Sequence, residues 1–161
     1  MSILDELHIN LDDLNDSAVD SLGMNLYREE FFSEKFVGVL DLHDGKKVVF
    51  FEDRYTHAFH TSEDRIRKPY GKSKVAKERI ARIKWIKPIL KGEINGTECW
   101  QIWGHDNRQR LYIVYNERYV IWLESRKDGN WKFSSAYVTG ESDIKRYKAK
   151  GQKIWEIKNA P

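Results

Sequence analysis

Two pairs of side chains in this sequence have the residue types and the spacing for acid–base and anion chemistry. His57 and His60 lie three residues apart in a polar segment, and Arg79 and Arg82 lie three apart in a segment predicted to be helical. Imidazole titrates near neutral pH and can take up or release a proton. The planar guanidinium binds phosphate through two hydrogen bonds, and residues three apart are neighbours on a helix. The histidine pair therefore indicates exposed proton chemistry, although either histidine alone is more simply explained as structural. The arginines indicate phosphate binding.

A third group lies on a predicted strand from residue 130 to residue 139. The preceding Asp128-Gly129 is a hairpin-turn signal. Since side chains alternate along a strand, one face is predicted to carry Trp131, Phe133, Ser135 and Tyr137. A small hydroxyl between aromatic rings indicates a place where a sheet holds a polar ligand, so Ser135 and Tyr137 are further candidate site residues.

The charge of the chain is divided unevenly along its length. Residues 1–64 hold 5 Lys and Arg against 15 Asp and Glu, whereas residues 65–161 hold 23 against 10, within a total net charge of +3. Cations bind phosphates and aromatic rings stack on bases, so a basic segment rich in Trp and Tyr suits a nucleic-acid partner. An ordinary solvated surface that binds no nucleic acid explains the charge distribution equally well. The residues predicted to contact nucleic acid are Lys84, Lys87, Trp131, Lys132 and Lys145.

Composition excludes several classes of protein. A chain of 161 residues with 40% hydrophobic residues is expected to form a single domain with its own core. It has no apolar run of about 18 residues to span a membrane and no signal-peptide pattern at Met1, so a cytoplasmic protein is expected. Cys99 is the single cysteine, which excludes an internal disulfide and predicts a buried, inert thiol. No cysteine or third histidine stands at ligand spacing to the histidine pair, so neither a metal nor another cofactor is expected.

Periodicity predicts an α+β fold in one domain spanning residues 1–161. Helices over residues 1–34 and a hairpin of strands 36–42 and 46–51 form an N-terminal part that ends at residue 52. A helix from 74 to 87 follows, with an apolar stripe of Ala76, Ile80, Ile83 and Ile86. Four further strands are predicted at 98–104, 110–115, 118–124 and 131–139, then a helix at 141–150 and an edge strand at 153–157. The central helix is expected to pack on a four-stranded antiparallel sheet, within a core unit of residues 53–161.

The order of these motifs resembles a known nuclease family. A histidine-bearing segment precedes Glu-Arg-x-x-Arg-Ile-x-Trp-Ile-x-Pro-x-Leu at residues 78–90, and a meander then ends in Phe-Ser-Ser-Ala-Tyr at residues 133–137. This pattern is similar to the phage-associated branch of the barnase–EndoU–colicin–RelE-like nucleases (the BECR fold), over roughly residues 57–150. Residues 1–52 have no counterpart in that pattern. Ser-Ser-Ala-Tyr stands where many relatives have Val-Thr-Ala-Tyr, which keeps the hydroxyl.

The resemblance implies a metal-independent endoribonuclease that cuts RNA by attack of the ribose 2′-hydroxyl and leaves a 2′,3′-cyclic phosphate. Such an enzyme uses a histidine for acid–base work and an arginine to neutralise the phosphate, while Ser135 and Tyr137 hydrogen-bond to it. His60 fits the family's histidine better than His57, because it lies nearer the helix. The resemblance also implies RNA as the partner, a role as a phage-related toxin or effector, and a cognate inhibitor or immunity protein.

Two other functions fit the same residues. A non-catalytic nucleic-acid-binding or protein-interaction module of phage origin would keep the sheet and the basic helix, with both histidines far from Ser135 and Tyr137. Chemistry on a nucleotide or ADP-ribose ranks last. It would need a glutamate beside the pocket, for which Glu124 and Glu141 are the candidates by sequence. The position of the histidines relative to the strand decides between catalysis and binding.

Overall fold

The computed structural model describes residues 3–33, 38–62, 73–103 and 108–158. Within these residues the helices are α1 (Ile3–Leu7), α2 (Asp16–Phe31), α3 (Arg54–Phe59), α4 (Lys77–Ala81), α5 (Ile86–Leu90) and α6 (Glu141–Ala149). The strands are β1 (Val39–Asp41), β2 (Lys47–Val49), β3 (His60–Ser62), β4 (Ser73–Val75), β5 (Thr97–Trp103), β6 (Arg108–Val114), β7 (Tyr119–Ser125), β8 (Trp131–Val138) and β9 (Gly151–Glu156). No helix of this described part is long and apolar enough to cross a membrane.

Among the described residues, seven strands form one mixed sheet in the order β1-β2-β8-β7-β6-β5-β9, and β3 and β4 form a separate ribbon. The four strands predicted in the second half of the chain are present as the antiparallel meander β5 to β8. The prediction of a four-stranded antiparallel sheet is nevertheless wrong, because β9 pairs with β5 and β2 pairs in parallel with β8. A sheet of four strands would leave the hydrogen-bonding edges of both outer strands open. β9 covers the outer edge of β5, and β2 covers the first residues of β8.

The predicted continuous helix over residues 74–87 is also wrong. Ser73–Val75 is strand β4, and the helical part is divided into α4, a 3-10 turn and α5. Pro88 lies in the first turn of α5, where a missing N–H leaves no helical hydrogen bond unmade, so it fits a helix that begins at Ile86 better than one that continues from residue 74. The apolar stripe still faces the core, since its members Ala76, Ile80, Ile83 and Ile86 are all buried.

The two faces of the sheet are covered differently. One face packs against the N-terminal helices and against α4 and α5, and this main core includes Tyr27, Phe31, Phe59, Ile80 and Phe133. The second face carries a smaller apolar cluster of Ile102, Leu111, Ile113 and Val120, to which α6 adds Ile144. Trp122 and Tyr137 border this second cluster and are half-buried. Strands β7 and β8 therefore present part of their second face to solvent.

A β-bulge in β8 divides its side chains between the two faces. Trp122 of β7 pairs with Ser135, but the next residue of β7 pairs with Phe133, so Ser134 is an extra residue in β8. Beyond Ser134, the alternation of side chains between the two faces of the sheet is therefore shifted by one residue. Trp131 and Phe133 face the main core, whereas Tyr137 lies on the second face, and Ser135 shares that face because it is two residues away. The prediction that all four side chains share one face is wrong for Trp131 and Phe133.

Cys99 lies on β5 and packs into the main core. Its thiol is free and fully buried. Burial raises the pKa of this thiol to about 12, so it stays protonated at neutral pH. This is the inert, buried cysteine that the sequence predicts.

Candidate active site

The parallel pairing of β2 with β8 fixes where α3 begins. β2 pairs with the first residues of β8, and the chain then enters α3 at Arg54, beside the bulge. Arg54 donates from Nε to the carbonyl oxygen of Ser134 (2.9 Å) and from Nη2 to the hydroxyl of Ser134 (2.8 Å). A bulged residue leaves the strand ladder, and this guanidinium supplies a donor to its carbonyl. Arg54 is thereby held against the part of β8 that extends beyond β2.

Glu124 of β7 connects this arginine to a second cation. Its carboxylate accepts a hydrogen bond from the Ser134 hydroxyl at 3.3 Å, pairs with Nζ of Lys132 at 3.3 Å and lies 4.0 Å from Nη2 of Arg54. The side chains of Arg54 and Glu124 are each 24% exposed and that of Lys132 is 39% exposed, so solvent and ligands reach all three. Two cations around one carboxylate leave a net positive charge, which suits an anionic ligand.

His57 lies one helical turn after Arg54 and is exposed. Partial burial lowers the pKa of its imidazole, and the positive charges of Arg54 and Arg79 lower it as well, against the opposing effect of Glu124. The imidazole is therefore neutral at pH 7 and able to accept a proton. Residues three apart are neighbours on a helix, so His57 lies beside Arg54 and the charged network that Arg54 forms with Glu124.

Tyr137 forms the other end of the site. Its hydroxyl accepts a hydrogen bond from Nε1 of Trp122 (3.0 Å) and shares a second with the hydroxyl of Tyr147 (3.0 Å). Burial and the Tyr147 hydrogen bond raise the pKa of this phenol to about 12, so it remains protonated. The guanidinium carbon of Arg79 lies 4.9 Å from the centre of the Tyr137 ring, and its Nη1 donates to the carbonyl oxygen of Ala58 at 3.1 Å. Arg79 thus bridges helix α3 and strand β8.

The structure separates the two predicted histidines. Nε2 of His60 and Oδ1 of Asp20 lie 2.9 Å apart, and the Tyr55 hydroxyl donates to the same carboxylate oxygen at 2.8 Å. Burial raises the pKa of Asp20, but the hydrogen bonds from His60 and Tyr55 outweigh that effect and lower it overall. The side chain of His60 is only 12% exposed. His60 therefore joins α2 to the start of β3, while His57 is the histidine placed among the cations of the site.

The two predicted arginines are separated as well. The guanidinium of Arg82 lies 5.2 Å from the Trp85 ring, and its Nη1 donates to the carbonyl oxygen of Glu78 at 2.8 Å. Arg82 lines a different cleft of about 490 Å³, between α4 and the segment that joins α1 to α2. Of the predicted catalytic residues, Arg79 contacts the Tyr137 ring, Ser135 shares the strand face of Tyr137, and His57 precedes Ala58, whose carbonyl oxygen accepts a hydrogen bond from Arg79. His60 and Arg82 have their hydrogen bonds with other parts of the molecule.

The residues predicted to contact nucleic acid are scattered over the molecule. Lys132 lies in the site through its ion pair with Glu124. Trp131 is 4% exposed, beneath the guanidinium of Arg110 at 4.5 Å, so its ring is not available to stack on a base. Lys87 pairs with Glu30 of α2 at 3.2 Å, on the helical side of the molecule. Lys84 is half-buried on the 3-10 turn and Lys145 is exposed on α6.

The sequence did not indicate Arg54 as a site residue, and it indicated Glu124 only as a candidate for chemistry on a nucleotide or ADP-ribose. Arg54 stands three residues before His57, so the two would have been recognised as neighbours if this polar segment had been interpreted as a helix. Glu124 follows Trp122 by two residues on β7, which puts both on the second face. Tyr147 lies on α6 and reaches Tyr137 only through tertiary packing, so no local signal indicates it.

Among the described residues, no group of three or more His, Cys, Asp and Glu side chains is arranged to hold a metal ion. Comparisons of the chain with protein-family models, with curated proteins and with solved structures find no match.

Proposed function

We propose that this chain is a metal-independent endoribonuclease that cleaves RNA by attack of the 2′-hydroxyl and leaves a 2′,3′-cyclic phosphate. The observation that carries the proposal is the position of the exposed His57 one helical turn after Arg54, beside the solvent-accessible charges of Arg54 and Glu124. An imidazole beside cations matches a substrate whose reacting group is a phosphate diester.

His57 acts as the general base in this proposal. A base needs a neutral lone pair at the working pH, and the lowered pKa of His57 keeps its imidazole neutral at pH 7. The imidazole takes the proton of the ribose 2′-hydroxyl while the 2′-oxygen attacks phosphorus. The bond between phosphorus and the 5′-oxygen then breaks.

Arg54, Arg79 and Lys132 stabilise the charge that develops on the phosphorane. Arg54 is fixed by its two hydrogen bonds to Ser134, and Arg79 is fixed by its bond to Ala58. Cations that are already positioned need little rearrangement when the transition state forms, which makes such stabilisation effective. Glu124 holds the charges of Arg54 and Lys132 on the same surface.

Tyr137 supplies the proton to the departing 5′-oxygen. Its phenol is protonated at neutral pH, and the charge of Arg79 above the ring stabilises the phenolate that donation creates. The proton that His57 has taken up returns to the phenolate through solvent, so acid and base are both restored. Ser135 lies two residues away on the same face and offers a hydroxyl to a phosphate oxygen.

The sequence motifs support the same function. Arg79, Ser135 and Tyr137 stand at the motif positions by which the chain resembles the phage-associated BECR nucleases. We extend the proposal to a cytoplasmic toxin or effector that is held in check by an inhibitor or immunity protein. A free, protonated Cys99 agrees with a reducing compartment.

The test is cleavage of a labelled RNA in the presence of EDTA, with fragment masses to identify the cyclic phosphate. Wild type is expected to cut, His57→Ala to lose about 10²–10⁴-fold in rate, and Tyr137→Phe to be slower. His60→Gln keeps a side-chain hydrogen bond to Asp20 and is expected to cut at the wild-type rate, as is Lys145→Gln on α6. A wild type that binds RNA without cutting it would identify the chain as the non-catalytic module, and full activity in His57→Ala would exclude the proposed base.

A further inference from the structure

An exposed phenyl ring stands at the border of the site. Phe51 follows β2 directly and is 42% exposed. Its backbone is fixed, because its carbonyl oxygen accepts hydrogen bonds from the Tyr27 hydroxyl (2.7 Å) and from the amide of Arg54 (3.1 Å). A single exposed apolar side chain needs no explanation by itself. The charged side chains around this ring indicate that it contributes to ligand binding.

A cation from the turn between β7 and β8 lies near this ring. The guanidinium carbon of Arg126 lies 5.5 Å from the centre of the Phe51 ring. Arg126 is the first residue after β7, and its backbone amide donates to the carbonyl oxygen of Asn130 at 2.8 Å in the turn that leads into β8. Its side chain is 32% exposed. Phe51 and Arg126 thus flank the charged network of Arg54, Glu124 and Lys132.

This arrangement matches the chemistry of a nucleotide. A nucleobase stacks on an aromatic ring and on a guanidinium plane, while the phosphate next to it meets cations. The faces of a base within a duplex are already occupied by its neighbours, so a platform of this kind accepts an unpaired base. A single-stranded substrate places a base on Phe51 and the adjoining phosphate at Arg54 and Lys132.

We propose that Phe51 and Arg126 form a nucleobase-stacking platform, and that the substrate is RNA that is single-stranded at the cleavage site. This inference rests on the proposed ribonuclease function. The test therefore separates binding from cleavage by using a short fluorescent 2′-fluoro RNA analogue, which lacks the attacking hydroxyl and stays intact.

The experiment compares the dissociation constants of Phe51 variants in EDTA. Phe51→Leu keeps an apolar side chain but removes the ring, and it is expected to weaken binding of the single-stranded analogue by roughly 5- to 150-fold. Phe51→Trp is expected to bind at least as tightly as wild type. Trp103→Ala is the matched control, since Trp103 is 63% exposed on β5, three strands away from β8 in the sheet. It is expected to leave binding unchanged.

The outcomes distinguish this inference from the function on which it rests. Binding by Phe51→Leu that equals wild type, or equal binding of the duplex form of the analogue, overturns the platform even if unmodified RNA is cut. Failure of wild type to bind the analogue overturns it as well. Loss of binding in Phe51→Leu together with no cleavage of unmodified RNA by wild type supports the platform and overturns the nuclease.

Discussion

The charge state of His57 is set by neighbours that act in opposite directions. Burial and the two arginines favour the neutral imidazole, and Glu124 favours the charged one. A general base and the cations that bind its substrate are difficult to combine, because each cation makes the base weaker. Glu124 relieves this conflict, since it partly compensates Arg54 and Lys132 without neutralising the surface.

Replacing the neighbours of His57 one at a time should move its pKa in predictable directions. In Glu124→Gln the carboxylate that raises the pKa is gone, so the pKa of His57 should fall further. In Arg79→Gln a cation that lowers it is gone, so the pKa should rise toward its ordinary value of 6.5. NMR titration of the imidazole ring protons measures both, with Lys145→Gln as the distant control. Shifts in the same direction for both variants would contradict the arrangement of charges.

The sequence identifies the kinds of residue in the site better than it identifies the individual residues. Arg79 and Tyr137 could be named because their spacing fits a helix and a strand. The choice between His57 and His60 could not be made, because it depends on Asp20 and Tyr55, which approach His60 only in the folded chain. Proximity to a helix along the sequence favours His60, and tertiary contacts place it away from the cations.

At the scale of secondary structure, the alternation of apolar and polar residues predicts where strands lie. It does not predict where a bulge shifts that alternation by one residue. The positions of β5 to β8 follow from their apolar residues. The bulge at Ser134, however, cannot be recognised from the sequence Trp-Lys-Phe-Ser-Ser-Ala-Tyr. The partner of the bulge, Arg54, lies 80 residues earlier in the chain. A register shift that is stabilised by such a distant side chain cannot be read from local periodicity.

Gly23 lies in the middle of α2 and is buried. A methyl group there would stand 2.7 Å from Cδ1 of Ile80 and would also meet the hydroxyl of Tyr55. Alanine in a helix is normally favoured over glycine by about 1 kcal/mol, whereas forcing a group into a packed core costs about 1–3 kcal/mol. Gly23→Ala should therefore lower the free energy of unfolding, as measured in urea.

The matched control for this prediction is Asn25→Ala on the exposed side of the same helix. It should leave the free energy of unfolding unchanged or raise it slightly, because only helix propensity changes there. If Gly23→Ala were as stable as Asn25→Ala, the close packing of α2 against α4 and α3 would be refuted.

At the scale of the whole molecule, the acidic N-terminal part compensates basic residues outside the candidate site. Glu30 pairs with Lys87, and Asp44 pairs with the buried Arg110. These pairs take part of the positive charge of the second half of the chain away from any ligand. Among the described residues, such pairs reduce the positive charge at those places, whereas Arg54 and Lys132 share the carboxylate of Glu124 and form a local cationic surface.

Salt dependence of RNA binding should distinguish this surface from the rest of the molecule. Each cation that meets a phosphate of a single strand releases counterions and adds about 0.7 to the slope of log affinity against log salt. Lys132→Gln should reduce that slope by about this amount. Lys87→Gln should leave it unchanged, because Lys87 is engaged with Glu30. Titrations at several salt concentrations provide the measurement, and equal effects of the two variants would disprove a localised surface.

The pairing of β2 with β8 also governs when the protein can become active during its synthesis. The amide of Lys47 donates to Oδ1 of Asn130, and Arg54 donates to Ser134, so both contacts join the first third of the chain to the last. A ribosome adds about 5–20 residues per second, so a nascent chain holds β2 and α3 for several seconds before β8 exists. Throughout that interval Arg54 has no strand to hold it, and Tyr137 has not been made. Under the proposed function, translation therefore keeps the growing nuclease harmless to the ribosomal and messenger RNA beside which it is made.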